Sequence, residues 1–174
     1  MSDKTELTRK QKAPLINRSD IDQPAIEDIT CALNTLLADV FSLYIKTKNF
    51  HWHMSGPHFR DYHLLLNEHA DQLFDATDEI AERVRKIEGT TILSIGDTAR
   101  LQRIPNNDAD YVTPGDMLSE RHENEKALIL SMRAVDALRD DAGDIATASL
   151  LENWIDQAQQ RSWFLFQSTR AAVS

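Results

Sequence analysis

One cysteine, Cys31, cannot staple this chain with a disulfide, and a single thiol fits a reducing compartment. Five glycines and five prolines in 174 residues supply too few turns for a many-stranded β architecture. No stretch reaches about 18 uninterrupted apolar residues, so no membrane span is expected. The opening MSDKTELTRKQKAP lacks an apolar core and does not read as a secretory signal. Positive charge is scarce: the net charge is −9. Residues 1–20 hold five of the basic side chains, Lys4, Arg9, Lys10, Lys12 and Arg18, against three acidic ones, so the remainder carries −11. Such a body repels polyanions and attracts cations, and any DNA contact would fall to that tail. The expectation is a soluble, cytoplasmic protein with a flexible tail over 1–20 and one domain over 21–174.

A hydrophobic content of 41% and a charged content of 27% are ordinary for a globular chain. Apolar residues recur at helical spacing from Ile26 through Ile29, Leu33, Leu36, Leu37, Val40 and Leu43 to about His53. Ser55-Gly56-Pro57 interrupts the rhythm, and Pro57 suits the first turn of a second helix that ends at Gly89. The stretch 92–101 has room for a short helix. Thr113-Pro114-Gly115-Asp116 reads as a cap opening a third long helix to about Asp140, and a break at 141–143 precedes a fourth from Asp144 to about Ala171. No strand pattern, linker or internal repeat appears. The reading is all-α: an antiparallel four-helix bundle with a short helix in its middle connection.

Chemistry concentrates in 51–82. His63, Asn67, Asp71, Asp75, Asp78 and Glu82 share one face of the second helix. A solvated polar stripe is the ordinary explanation of such a face. Spacing sharpens the question, because His63/Asn67 and Asp78/Glu82 are i,i+4 pairs whose side chains can converge on one ion. Residue 63 nevertheless lies roughly 22 Å along the axis from residue 78, so one ion cannot bridge them. A two-fold axis near Gln72 would bring one copy's carboxylates to the other's imidazoles and make two equivalent sites. His51 is near enough across the 55–57 turn to join. Imidazole with carboxylate suits Fe(II), with Zn(II) or Mn(II) as competitors. Glu-x-x-His, which ordinary di-iron bundles carry on two helices, is absent, as is His-Glu-x-x-His.

The stretch KNFHWHMSGPHFRDYHLLLNEHADQLFDATDEIAERVRKIEGT, residues 48–90, resembles the ferroxidase signature of the Dps family, the mini-ferritins, and the likeness extends over about 24–170. The resemblance implies a ferritin-like four-helix bundle assembled into a hollow homododecamer. Such a shell oxidises Fe(II), preferentially with hydrogen peroxide, and stores the ferric mineral, protecting DNA from oxidative damage. It places His51 and His63 as ligands from one subunit, Asp78 and Glu82 as ligands from its two-fold mate, and Trp52 beside the site. Position 67 is ordinarily aspartate in the family; Asn67 is a weaker donor, which leaves the second iron position in question. The family also lines three-fold pores with acidic residues near the third turn, which here would be Asp140, Asp141 and Asp144. A nucleoid-associated DNA-binding protein with a weakened ferroxidase site is the competing reading.

Other residues are read more plainly. His53, His58 and His69 are expected at the surface or behind the metal ligands, Trp154, Trp163, Phe164 and Phe166 in the core or in subunit contacts, and Cys31 as a small buried residue.

Overall fold

The computed structural model describes residues 19–170; the tail's basic residues, from Lys4 to Arg18, lie outside the described part. Five helices and no strand occur among the described residues: α1 Gln23–His53, α2 Phe59–Lys86, α3 Ile95–Leu101, α4 Pro114–Asp141 and α5 Ile145–Thr169.

Helix ends follow local chemistry. Asp22 caps α1 by accepting the Ala25 N–H at 3.0 Å, and Pro24 sits in the first turn, where its missing donor costs nothing. Thr113 and Asp144 cap α4 and α5 in the same way, accepting from Asp116 and Thr147. The short helix starts at Ile95, three residues later than 92, because Ser94 caps it and Asp97 ties down the residue before the cap: Asp97 N–H donates to Ser94 Oγ and Leu93 N–H donates to Asp97 Oδ2. The second long helix starts at Phe59, so Pro57 belongs to the turn rather than to the helix; Gly56 there has φ +95°, a left-handed conformation.

The end of α2 differs from the expected glycine stop. Glu88, with φ +73°, is the left-handed residue, and its N–H and that of Gly89 donate to Arg85 O and Val84 O at 3.1 and 2.9 Å. Gly89 is required for another reason. A Cβ there would meet Thr30 at 2.2 Å and Val84 at 2.8 Å, so α1 and the end of α2 approach too closely for any side chain.

Side-chain bonds fix the arrangement of the bundle. Lys46 on α1 reaches Glu120 and Asn124 on α4; Glu125 on α4 pairs with Arg161 on α5; Arg83 on α2 pairs with Asp144, the cap of α5. These partners run in opposite order along each helix pair, so lateral neighbours are antiparallel. The diagonal helices α2 and α4 are then parallel, and the chain must travel the length of the bundle between them. Residues 87–113, with α3, make that crossing. Asp39, buried on α1, holds the crossing by accepting from Arg103 Nε and Nη2 at 3.0 and 2.6 Å and from the Arg103 backbone N–H.

By length and composition alone α1 could cross a membrane. Its apolar stripe, Ile29, Leu33, Leu36, Leu37 and Leu43, is instead almost wholly buried against the other helices. Each such side chain contributes roughly 1.5–3 kcal/mol by leaving water. Cys31 is exposed, contrary to its expected burial, because two residues, or about 200° of helix, separate it from that stripe.

His69 also departs from expectation: it lies in the core with 2% of its surface exposed. Burial, reinforced by Arg121 and Arg161 against an opposing Glu125, pushes its pKa from 6.5 down to about 3. The folded value lies below the unfolded one, so this stabilisation is complete above pH ~6.5 and is lost as pH falls toward 3, at roughly 1.4 kcal/mol per unit. Urea midpoints should therefore decline between pH 6.5 and 4.5 more steeply in the wild type than in His69→Leu. Equal slopes would clear His69 of the effect.

Candidate metal centre

The turn at residues 54–58 folds α2 back along α1 and sets His51, in the last turn of α1, against His63, in the second turn of α2. The rings stack with centroids 3.7 Å apart and planes inclined by 22°. Each Nδ1–H donates to the other residue's backbone carbonyl, His51 to His63 O at 2.8 Å and His63 to His51 O at 2.9 Å. A carbonyl can only accept, so these reciprocal bonds place the proton of both rings on Nδ1. Both Nε2 lone pairs are left available to a cation, the usual way in which a second partner orients a metal-binding imidazole. Phe59 packs beside His63 at 5.0 Å, and Trp52, next to His51, is exposed.

One turn further along α2, Asn67 is already engaged. Its Oδ1 accepts from Lys48 Nζ at 2.8 Å, and its amide donates to Asp71 Oδ2 at 3.0 Å. Lys48 Nζ also lies 4.0 Å from Asp71 Oδ1. An ammonium thus sits where a second cation would need the residue-67 oxygen. Sequence spacing singled out Asn67 and Asp71 but not Lys48, whose role depends on a contact between residues 19 apart. Asp71 is no free donor either: its carboxylate is turned back onto Asn67 and Lys48.

Asp78 and Glu82 are exposed at the far end of α2. Glu82 Oε2 accepts from Lys86 Nζ at 2.8 Å, and that hydrogen bond, with the lysine charge, holds its carboxyl below the usual range. Since His63 and Asp78 occupy one uninterrupted helix 15 positions apart, roughly 22 Å separates the two groups. Among the described residues no group of three or more His, Cys, Asp or Glu side chains gathers closely enough to hold a metal. Each chain presents an imidazole pair at one end of a helix face and a carboxylate pair at the other. Beside the carboxylates runs an apolar groove lined by Leu37, Phe41, Phe74, Asp78, Ile92 and Ile95, with Phe74, Leu93 and Ile95 exposed around it.

The remaining candidates separate clearly. His53 and His58 are exposed, and His53 Nδ1–H donates to Asn49 O at 2.8 Å. Asp144 is not free to line a pore: it is buried, caps α5 and pairs with Arg83 Nη2 at 2.6 Å. Its carboxyl is pushed up by burial but held below the usual range overall by Arg83 and Thr147. Asp140 is exposed, 3.7 Å from Arg139; the side chain of Asp141 lies outside the described part. Trp154 is buried and donates from Nε1 to Glu79 at 2.7 Å, whereas Trp163, Phe164 and Phe166 are exposed.

Residues 30–169 match the family model described as a ferritin-like domain. The chain is similar to the DNA protection during starvation protein of Agrobacterium fabrum, with 32% identity over 151 residues that cover 85% of this chain and 91% of that one. An uncharacterized low temperature-induced protein of Nostoc sp. is 34% identical over 134 residues, 76% of this chain and 75% of its own. Among solved structures, Dps from Thermosynechococcus elongatus superposes with a TM-score of 0.82 at 28% identity, covering 86% of this chain and 94% of that one.

Proposed function

The chain belongs to the ferritin-like domain family and, within it, to the Dps proteins, and from that membership we propose that it is a mini-ferritin: it binds Fe(II) at sites shared by two protomers, oxidises it preferentially with hydrogen peroxide and stores the ferric product in a dodecameric shell, sparing DNA from oxidative damage. The observation that carries this reading is the His51–His63 pair, with both Nε2 atoms free, on a chain whose matching carboxylates lie half a helix too far away to complete the site.

A two-fold mate laid antiparallel on α2 supplies what each end lacks. The exposed Phe74, Leu93 and Ile95 beside Asp78 give that contact an apolar surface to bury. In the paired site His51 and His63 of one protomer face Asp78 and Glu82 of the other, with Trp52 alongside. The imidazoles supply neutral donors and the carboxylates supply charge, a mixture that accepts Fe(II) and stabilises Fe(III) further. Zn(II) and Mn(II) fit the same donors. Each Fe(II) gives up one electron, so two are consumed for every peroxide O–O bond broken to water. Entry is proposed at the exposed Asp140, where copies of an acidic turn would concentrate cations.

Rapid-mixing measurement of Fe(II) oxidation, with peroxide and with oxygen, tests the activity; light scattering tests the shell. No peroxide-dependent oxidation, or a solution mass near 19.8 kDa, would refute the proposal.

Lys48 and Asn67 favour strong occupancy of one cation position and weak occupancy of the second. Asn67→Asp together with Lys48→Met removes a positive charge and adds a negative one at about 4 Å, so affinity for a second Co(II) per site should rise at least about tenfold. Isothermal titration reads this directly, and an unchanged second step would show that Lys48 does not obstruct the position. The rival reading, a DNA-binding protein with a weakened site, requires the tail. Gel shifts at two salt concentrations, with and without residues 1–20, separate the two: DNA affinity that is present in the full chain and lost without the tail, alongside absent oxidation, favours the rival.

A further inference from the structure

The largest fully buried side chain in the bundle is a charged one, Arg121. Its Nη2 donates to Glu125 Oε1 at 2.6 Å, but its buried Nε and Nη1 have no acceptor among the described residues. Glu125 is itself shared. Arg161 donates to it from Nε at 3.0 Å and from Nη2 at 3.1 Å, and spends Nη1 on Gln72 at 3.4 Å. The other carboxylates on this stretch of α4 are engaged, Glu120 by Lys46 and Asn107 and the exposed Glu123 by Lys126. On α2, diagonally across the core, His69 is 2% exposed and its Nδ1 also lacks a partner.

Two guanidiniums therefore share one carboxylate, and the neighbouring Lys46–Glu120 pair balances itself. The centre of the bundle holds one uncompensated positive charge together with orphaned polar atoms on two helices, two N–H donors of Arg121 and Nδ1 of His69. A buried charge without a partner is among the least tolerated features of a folded core, and a buried donor without an acceptor is nearly as rare. Water satisfies a donor but leaves the charge; an anion satisfies both. The guest must be small, because Arg121 is fully buried and His69 is 2% exposed, and a close-packed core has no room beside them for a phosphate or a carboxylate.

We propose that the core of each protomer binds a single monatomic anion of halide size, held by the free Nε–H and Nη1–H groups of Arg121 and by the Nδ1–H of His69. The anion completes the charge balance of the Arg121–Glu125–Arg161 cluster, lies within one chain, and is independent of the iron site between chains.

Crystals of the full-length protein soaked in sodium bromide and measured at the bromine absorption edge are the direct test. The expected result is one anomalous peak per chain within hydrogen-bonding reach of Arg121 and His69. A water in that position, or bromide at the surface only, overturns the proposal, and this readout holds even if a variant fails to fold. The second test is thermal unfolding at constant ionic strength, with bromide replacing gluconate. The wild-type Tm should rise with bromide and that of Arg121→Met should stay flat. At the lowest bromide the variant should be at least as stable as the wild type, because Glu125 and Arg161 then neutralise each other. A large, bromide-independent fall in Tm on Arg121→Met would show that the guanidinium is a structural strut and would overturn the proposed role of the anion.

Discussion

Neither a His51→Ala/His63→Ala double variant nor an Asp78→Ala/Glu82→Ala double variant should oxidise Fe(II), yet the two unfolded together and reassembled should regain about one quarter of wild-type activity, the fraction that random two-fold pairing gives. Half of the dimers are then mixed, and each mixed dimer holds one intact site and one that has lost every ligand. Each double variant alone should lose at least about 100-fold in metal affinity, since even indirect supports of metal ligands are worth 10–100-fold. The expectation rests on distance. His63 and Asp78 sit on one uninterrupted helix, and no rotamer closes roughly 22 Å. A mixture that assembles but stays inactive would refute the sharing of sites. A double variant that keeps full activity would remove those residues from the site.

Glu125→Ala should be the most destabilising single substitution in the bundle, at about 3–5 kcal/mol. Glu125 is fully buried and is the carboxylate that holds Arg121 and Arg161 together. Its removal strands two buried guanidiniums. Burial pushes its carboxyl pKa up, but Arg161 and Arg121 together outweigh burial and hold it below the usual range. A carboxyl lowered in this way stabilises the fold above its unfolded pKa and ceases to do so as pH falls through the folded value. At roughly 2–4 °C per kcal/mol for a chain of this size, Tm should drop by about 10 °C or more. Lys86→Ala, which breaks the exposed ion pair with Glu82, should leave Tm almost unchanged, because such pairs contribute little to stability. Similar Tm losses for the two substitutions would mean that the buried cluster carries no special weight.

The two expectations draw on different levels of information. The proposed His51, His63, Asp78 and Glu82 set was legible in two steps: helical periodicity put candidate imidazoles and carboxylates too far apart for a site within one chain, and the resemblance to the Dps signature picked out these four. The four long helices were legible from helical periodicity too: apolar stripes at helical spacing, with Thr113 and Asp144 at the starts of two of them. Asp144 also shows where such reading misleads. Three aspartates in five residues look like a solvated acidic turn, whereas one of them is buried against Arg83. The Arg121–Glu125 pair is harder still, since charged residues at i,i+4 spacing are the ordinary signature of an exposed helix face. Only Arg161, 36 residues further on, and the absence of solvent reveal a core cluster.

By itself the sequence determined the helical architecture and the inventory of candidate metal donors, because both follow from short-range periodicity that each helix imposes on its own residues. It also determined that the donors come in two groups too far apart to serve one ion. The tertiary structure decided which atoms are available. Packing α1 against α2 puts the protons of His51 and His63 on Nδ1 and brings Lys48 onto Asn67, and closing the bundle buries Arg121, Glu125 and Arg161 together. Hydrogen-bond direction, tautomer and desolvation depend on groups distant in the chain arriving within about 3 Å of one another, and that distance exists only once the helices have packed.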